Sequence, residues 1–257
     1  MIFYFSGTGN SRHVAQELGL RLNENLVEVG NALTRNEFNY TLKPAERLGF
    51  VFPTYSWGPA PVVLDLINKL EIKGYASDTF TFMVTTCGDD IGCSVNIFRK
   101  ALSGKSWHLH AAYSIQMPNN YVNMKGFDVD SDDVRLKKLH AAPARIAQVA
   151  QMIAEKTITV DVVTGSWKWV KSHIIRPAFL RNAMSDKKFH VESDKCTHCS
   201  ACVGNCPMHN ITLNTSQEPE WNGRCAMCLG CLHHCPARAI QHGKATLNKG
   251  RYHFTSP

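Results

Sequence analysis

The amino-acid sequence predicts a doubly wound α/β domain with a five-stranded parallel sheet, followed by a small cysteine-rich α+β domain. Up to about residue 157, short apolar runs alternate with helical segments, which is the pattern of parallel βαβ units. Eight of the ten cysteines then fall between Cys196 and Cys235. Such clustering indicates a metal-binding site rather than a scattered set of disulfides.

Composition narrows the class of protein. A chain of 257 residues with 44% hydrophobic content can form one ordinary domain and a small second one, so dominant disorder is excluded. Neither a signal peptide nor an apolar run of roughly 18 residues is visible, so we expect a cytoplasmic protein without a membrane span. The formal charge of +7 counts thiols as neutral and ignores cofactors, so it gives no support for a nucleic-acid partner.

The first domain is expected to cover residues 1–160. Its strands are short β-rich apolar runs, and the segments between them are helical candidates. The predicted strands are residues 1–5, 26–29, 48–52, 79–86 and 108–116, and the predicted helices are residues 10–22, 61–70, 92–102 and 131–155.

The loop after the first strand has the composition of an anion-binding loop. In doubly wound sheets, ligands bind at the carboxyl ends of the strands, where the winding reverses. Hydroxyls, glycines and the free amides of a helix start converge here, which favours a phosphate. The loop lacks the lysine of a Walker A motif and the glycine spacing of dinucleotide folds, so a monophosphate is favoured, with an ordinary glycine-rich turn as the alternative. Its residues are Ser6, Gly7, Thr8, Gly9, Asn10 and Ser11.

The loops after the third and fourth strands would complete a site for a flat ring. Tyr55 and Trp57 are poorly explained by core packing, whereas a stacked ring system explains them well. Cys87 is interpreted as a loop thiol rather than a nucleophile, because no histidine or basic residue adjoins it to lower its pKa. The predicted ring-binding residues are Pro53, Thr54, Tyr55, Ser56, Trp57, Gly58, Thr86, Cys87, Gly88 and Asp89.

Residues 161–188 form a basic amphipathic connector that contains Trp167 and Trp169. Such a segment covers a seam between two domains or lies on an anionic membrane surface, and we favour the seam.

The final domain, residues 189–257, contains an internal repeat in which Cys-x2-Cys-x2-Cys-x3-Cys-Pro occurs twice. This is the bacterial spacing for two [4Fe-4S] clusters, in which the fourth cysteine of each run binds the other cluster. A pair of zinc sites is the alternative. We expect the nearby His198, His233 and His234 to face solvent. One predicted ligand set is Cys196, Cys199, Cys202 and Cys235, and the other is Cys225, Cys228, Cys231 and Cys206.

These motifs carry a family resemblance. The last seventy or so residues resemble bacterial two-cluster ferredoxins, and the Ser-x-Thr-Gly-Asn-Ser and Tyr-x-Trp-Gly loops resemble those of flavodoxins. The whole chain is similar to bacterial flavodoxin-ferredoxin fusion proteins, which implies bound FMN and one-electron transfer at low potential. It departs from free-standing flavodoxins, which are typically acidic, so their docking surface does not transfer to this basic chain.

The sequence therefore predicts an electron-transfer protein that relays electrons between FMN and two [4Fe-4S] clusters, with a redox protein or enzyme as donor and acceptor. Two alternatives stay open at this point. One is a flavin-dependent reductase of a small acceptor, fed through the clusters. The other is a first domain that binds no flavin and serves for docking.

Overall fold

The structure is a computed structural model that describes residues 1–255. Its centre is a six-stranded sheet with the order β2-β1-β4-β6-β7-β8, in which all neighbouring strands are parallel. The winding reverses between β1 and β4, which is the doubly wound order of flavodoxin-like sheets. A small parallel pair, β3 and β5, lies outside the main sheet. The strands are β1 (Ile2–Tyr4), β2 (Leu26–Glu28), β3 (Asn39–Thr41), β4 (Leu48–Pro53), β5 (Glu71–Lys73), β6 (Thr81–Cys87), β7 (Ala111–Gln116) and β8 (Thr159–Asp161).

The predicted number of strands, five, is wrong, because β8 adds a sixth strand at the edge of the sheet. Its three residues pair in parallel with Ala111, Ala112 and Tyr113 of β7. Its run is so short that the sequence pattern did not separate it from the connector. An edge strand is paired on one side only, so it needs less apolar sequence than a central strand.

Helices cover both faces of the sheet, as the doubly wound class predicts. On one face, Val14 and Ile146 pack with Val51 and Phe82. On the other face, helices contribute to a second core around Phe50. The helices are α1 (Asn10–Leu22), α2 (Val29–Arg35), α3 (Pro61–Lys69), α4 (Ser94–Ser103) and α5 (Asp132–Ala154).

Residues 161–188 start at the end of β8 and are mostly helical. Short helix α6 (Lys168–Val170) runs through a π-helical turn (Lys171–Ile175) into α7 (Arg176–Ala183). We call residues 168–183 the connector helix. A 3-10 turn (Asp186–Lys188) follows. No helix within residues 1–255 is long and apolar enough to cross a bilayer.

Residues 189–255, the cysteine-rich segment, form two antiparallel strand pairs and two short helices around a small apolar core. Strand β10 pairs with β11, and β9 pairs with β12. The elements are β9 (Phe189–Val191), α8 (Ala201–Gly204), β10 (Ile211–Leu213), β11 (Pro219–Trp221), α9 (Gly230–His233) and β12 (Ile240–His242).

The backbone of this segment repeats as its cysteines do. Helices α8 and α9 occupy equivalent positions in the two copies, and so do β10 and β12. Residues with a left-handed backbone conformation, which is uncommon for residues other than glycine, also recur in three equivalent pairs. The pairs are His198 with Met227, Ser200 with Leu229 and His209 with Arg238, with φ between 46° and 60°. Both cysteine loops therefore have the same tight winding.

Candidate functional site

The loop of residues 6–11 joins β1 to α1 and is shaped for an anion. Gly9 has φ of 96°, a left-handed conformation that glycine adopts without strain. Its N–H donates to Ser6 Oγ at 3.1 Å, which folds the loop back on itself. Thr8, Asn10 and Ser11 are buried. Their backbone N–H groups meet no acceptor within residues 1–255, so the loop presents buried donors that an anion would satisfy.

Partners that are distant in sequence fix the side chains of this loop. Asn120 Nδ2 donates to Thr8 Oγ1, and Asn10 Nδ2 donates to the Pro118 carbonyl at 3.0 Å. The Tyr252 hydroxyl donates to Asn10 Oδ1 at 2.7 Å. Because Thr8 Oγ1 accepts in its contact, its own O–H remains free to donate to an anion.

Ser11 and Thr86 connect the anion loop to the end of β6. Their hydroxyl oxygens lie 2.7 Å apart and both residues are buried. A similar pair, Thr54 Oγ1 and Thr85 Oγ1, is separated by 2.9 Å at the ends of β4 and β6. The structure thus brings the three predicted loops to one edge of the sheet.

The aromatic loop after β4 is a tight turn. Ser56 and Trp57 both have positive φ, and the Tyr55 N–H donates to the Gly58 carbonyl at 2.8 Å. Lys171 Nζ lies 5.2 Å from the centre of the Trp57 ring, a cation–π contact. The Tyr55 hydroxyl is buried and has no hydrogen-bond partner within residues 1–255.

The connector helix locks this aromatic loop in place. Arg176 is buried and donates to the carbonyls of Tyr55 and Pro59, the latter at 2.6 Å. Burial lowers the pKa of Arg176 to about 10. Ser172 Oγ donates to the Trp57 carbonyl at 2.8 Å. Neither anchor was predicted from the sequence, since nothing in the local pattern distinguishes Ser172 and Arg176 from other polar residues of a surface helix.

Cys87, interpreted from the sequence as a loop thiol, is instead the last residue of β6, and its side chain is buried. Burial, followed by the charges of Asp90 and Asp89, raises its pKa to about 12. A thiol whose pKa is raised in this way has little thiolate character. Gly88 lies against Asn119, and a Cβ atom built on Gly88 would lie 3.3 Å from the Asn119 Cβ, which is a tight contact. The side chain of Asp89 is exposed.

The structure groups four of the cysteines around one small cavity near the surface. Cys199 is exposed, Cys202 is buried, and the other two are intermediate. Burial is the largest cause of the raised pKa of Cys202, and the charges of Cys235 and Cys199 add to it. The cavity-lining cysteines are Cys196, Cys199, Cys202 and Cys235, which is the first predicted set.

The other four cysteines also lie near one another, deeper in the molecule. Burial raises the pKa of Cys228 and Cys231, and the charge of Cys225 raises both further. The charge of Cys206 also raises the pKa of Cys228 and of Cys231. Backbone amides point at the sulfurs: Asn210 N donates to Cys206 Sγ at 3.3 Å, and Met227 N donates to Cys225 Sγ at 3.2 Å. These four cysteines are the second predicted set.

No group of three or more histidine, cysteine, aspartate or glutamate side chains within residues 1–255 is arranged to hold a metal ion. The ligands of a single ion converge on one point. The four thiolates of a cubane instead bind four different iron atoms.

The second cysteine set lies directly against the anion loop. A Cβ atom built on Gly7 would lie 2.4 Å from the Cys228 carbonyl oxygen and 2.9 Å from its Sγ. A Cβ atom built on Gly30 of α2 would lie 1.9 Å from the Pro207 carbonyl oxygen. Only glycine permits these approaches, so the cysteine-rich segment is packed closely onto the sheet edge.

The prediction for His233 is wrong, because this residue is buried rather than exposed. Its Nε2 lies 2.7 Å from the Asn120 carbonyl, and its Nδ1 accepts from the Tyr252 N–H at 3.2 Å. The ring is thus neutral and links three parts of the chain. His234 is half-buried, with Nδ1 2.9 Å from the Gly230 carbonyl, whereas His198 is exposed.

The C-terminal residues also cover the anion loop, which the sequence did not indicate. The Phe254 N–H donates to the Thr8 carbonyl at 2.7 Å. Its ring stacks on His13 with centroids 4.2 Å apart. Residues 117–121 contact both parts of the site, because Pro118 and Asn120 accept from or donate to the anion loop and the Asn120 carbonyl also contacts His233. The structure places them between the anion loop and the cysteine-rich segment.

No family model and no curated protein matches this chain. A putative flavoprotein from Bacteroides uniformis is 11% identical over 45% of this chain and 88% of its own, with a TM-score of 0.32. An azoreductase from Bacillus anthracis is 9% identical over 60% and 98%, with a TM-score of 0.37. An FMN-dependent NADH-azoreductase from Bacillus anthracis, in complex with FMN, is 8% identical over 60% and 98%, with a TM-score of 0.36. Likenesses this weak carry no argument, so the fold assignment above rests on the strand order itself.

Proposed function

We propose that this chain is an electron-transfer protein that relays electrons between FMN and two [4Fe-4S] clusters and on to a redox partner. The observation that carries the proposal is the contact between Gly7 of the anion loop and Cys228 of the second cysteine set. A flavin takes up two electrons and releases them singly, whereas a cubane passes one at a time. We also propose that the FMN-binding domain ends at residue 160 and that the connector ends at residue 188, as the sequence predicts.

The anion loop supports a bound phosphate of FMN. Its buried N–H groups on Thr8, Asn10 and Ser11 require an acceptor, and the start of α1 adds a favourable dipole for a negative charge. The residues that would hold FMN are those predicted from the three loops. The least favourable of them is Asp89, since its side chain is exposed.

The pairing of the cysteines supports two cubanes. The spatial groups are those expected when the fourth cysteine of each run serves the other cluster: Cys235 lies with the first run and Cys206 with the second. The matched left-handed residues in both loops hold backbone amides toward the sulfurs, as the amide of Met227 does. This exchange of ligands ties the two copies together, so cluster binding would also stabilise the segment.

The two cysteine sets differ in position, and this difference suggests which cluster would exchange electrons with the flavin and which with a partner. The set with Cys228 touches the anion loop, whereas Cys199 of the other set is exposed. We therefore assign the Cys228 set to exchange with the flavin and the Cys199 set to exchange with a partner. The reductase alternative gains no specific support, because Lys171 and Arg176 occupy the surroundings of the aromatic loop.

A redox titration of anaerobically purified protein, followed by electron paramagnetic resonance and absorbance, tests the proposal. We expect flavin and iron–sulfur signals in the same chain. Cys228→Ser should alter one cluster signal and slow flavin reoxidation by the clusters, while Cys199→Ser should alter the other signal and spare that step. Cys93→Ser, a buried cysteine outside both sets, is the control. Flavin that stays oxidised while both clusters are reduced, on every accessible timescale, would contradict the relay.

A further inference from the structure

Exposed large apolar side chains are concentrated on one part of the surface. Of the thirteen within residues 1–255, seven lie between residue 158, next to β8, and the middle of the connector helix. Scattered exposed apolar residues are normal, whereas a concentration of them marks an interaction site. The seven are Ile158, Val160, Val163, Trp167, Trp169, Ile174 and Ile175.

The connector helix is amphipathic in the opposite sense to a helix that packs on a core. Its buried residues are polar: Ser172 and Arg176 are 3% and 4% exposed. Trp169 and Ile174 on the opposite side are 61% and 56% exposed, and Trp167, the residue just before the helix, is 78% exposed. Phe179 and Leu180 near its end are half-buried. Transfer of such side chains out of water is favourable, so this outward face is not explained by the folding of the chain alone.

Polar contacts account for the position of the helix without help from this face. Ser172 Oγ accepts from the Cys93 N–H at 2.8 Å and donates to the Trp57 carbonyl. Arg176 binds two carbonyls of the aromatic loop, and Lys171 Nζ lies 2.7 Å from Asp90 Oδ2. The seam interpretation therefore describes the polar face only. Trp167 and Trp169 remain exposed, so a surface outside the chain would have to cover them.

Charge identifies the chemistry of that occupant. Residues 162–185 contain no aspartate or glutamate. Lys168 and Arg181 are exposed on the helix, and Lys187 and Lys188 are exposed just beyond it. A helix that carries tryptophan and isoleucine beside lysine and arginine has the composition of helices that lie in the headgroup region of anionic bilayers.

We propose that the outward face of the connector helix, together with the neighbouring residues of β8, docks the protein on an anionic phospholipid bilayer. The helix lies in the interfacial plane and does not cross the membrane. Trp167, Trp169 and Ile174 enter the boundary between headgroups and acyl chains, while Lys168 and Arg181 contact lipid phosphates. This inference does not depend on the proposed redox function.

Vesicle flotation of the anaerobically purified full chain tests the proposal. Vesicles of phosphatidylcholine alone are compared with vesicles of equal parts phosphatidylcholine and phosphatidylglycerol. We expect binding to the second kind only, weakened by salt. Lys168→Ala/Arg181→Ala should weaken partitioning about twenty-five-fold, at about fivefold for each of the two basic residues near an anionic surface. Trp167→Ala/Trp169→Ala should weaken it at least about tenfold through lost apolar burial.

Leu20→Ala is the matched control, because Leu20 is 79% exposed but belongs to α1 and not to the connector helix. It should bind vesicles as the unaltered chain does, and circular dichroism should show that all variants are folded. Equal binding to both kinds of vesicle, no binding, or full binding by the tryptophan variant would overturn the proposal. A dimer by light scattering that the tryptophan variant converts to a monomer would also overturn it, because a second copy would then cover this face.

Discussion

Replacement of Gly30 by alanine tests the packing of the cysteine-rich segment on the sheet. The new Cβ would lie 1.9 Å from the Pro207 carbonyl oxygen, against about 3.4 Å for an ordinary contact. One backbone must therefore retreat by about 1.5 Å, and overpacking of this kind costs roughly 1–3 kcal/mol. Alanine in a helix raises the free energy of unfolding by about 1 kcal/mol relative to glycine. We expect a net loss of about 1 kcal/mol.

Differential scanning fluorimetry of the anaerobic protein measures this change. For a chain of this size, a loss of about 1 kcal/mol lowers Tm by roughly 2–4 °C. Gly204→Ala is the matched control, since Gly204 lies in α8 and a Cβ atom built on it would have no neighbour within 4 Å among residues 1–255. It should leave Tm unchanged or raise it. If Gly30→Ala also raised Tm, the close contact between α2 and Pro207 would not exist in solution.

Three further substitutions test other parts of the account. Arg176→Ala should lower the free energy of unfolding by roughly 2–4 kcal/mol in chemical denaturation, because two buried carbonyls lose their donor; an unchanged value would refute the anchoring role. Thr8→Val should weaken FMN binding about tenfold or more by titration calorimetry, whereas Thr34→Val on α2 should not. Burial lowers the pKa of His110, so its contribution to stability is fully present above pH 6.5 and is lost as the pH falls below that value. His110→Asn should therefore reduce the difference between the Tm values measured at about pH 7.5 and about pH 5.5.

Local sequence signals predicted the regular elements well. Helix α1 begins and ends where the pattern places it, because a glycine-rich turn precedes it and an apolar stripe runs through it. Helix α2 was missed, since its seven residues follow β2 directly and show less than two full turns of periodicity. Strand β8 was missed because three residues carry too little alternation to identify a strand.

The candidate site was predictable where its chemistry is local in sequence. The anion loop and the two cysteine runs are contiguous motifs, so their spacing alone is enough to propose their ligands. The side chains that surround them come from distant positions. The Tyr252 hydroxyl reaches Asn10 across most of the chain, and His233 is buried by its contact with Asn120. No local pattern encodes such pairings.

The most direct test of the central claim is the cofactor content of anaerobically purified protein. Iron, acid-labile sulfide, zinc and flavin are measured on the same sample. The account predicts about eight iron atoms and about eight sulfides per chain, together with one extractable FMN. Zinc in place of iron, or no flavin after reconstitution with FMN, would contradict it.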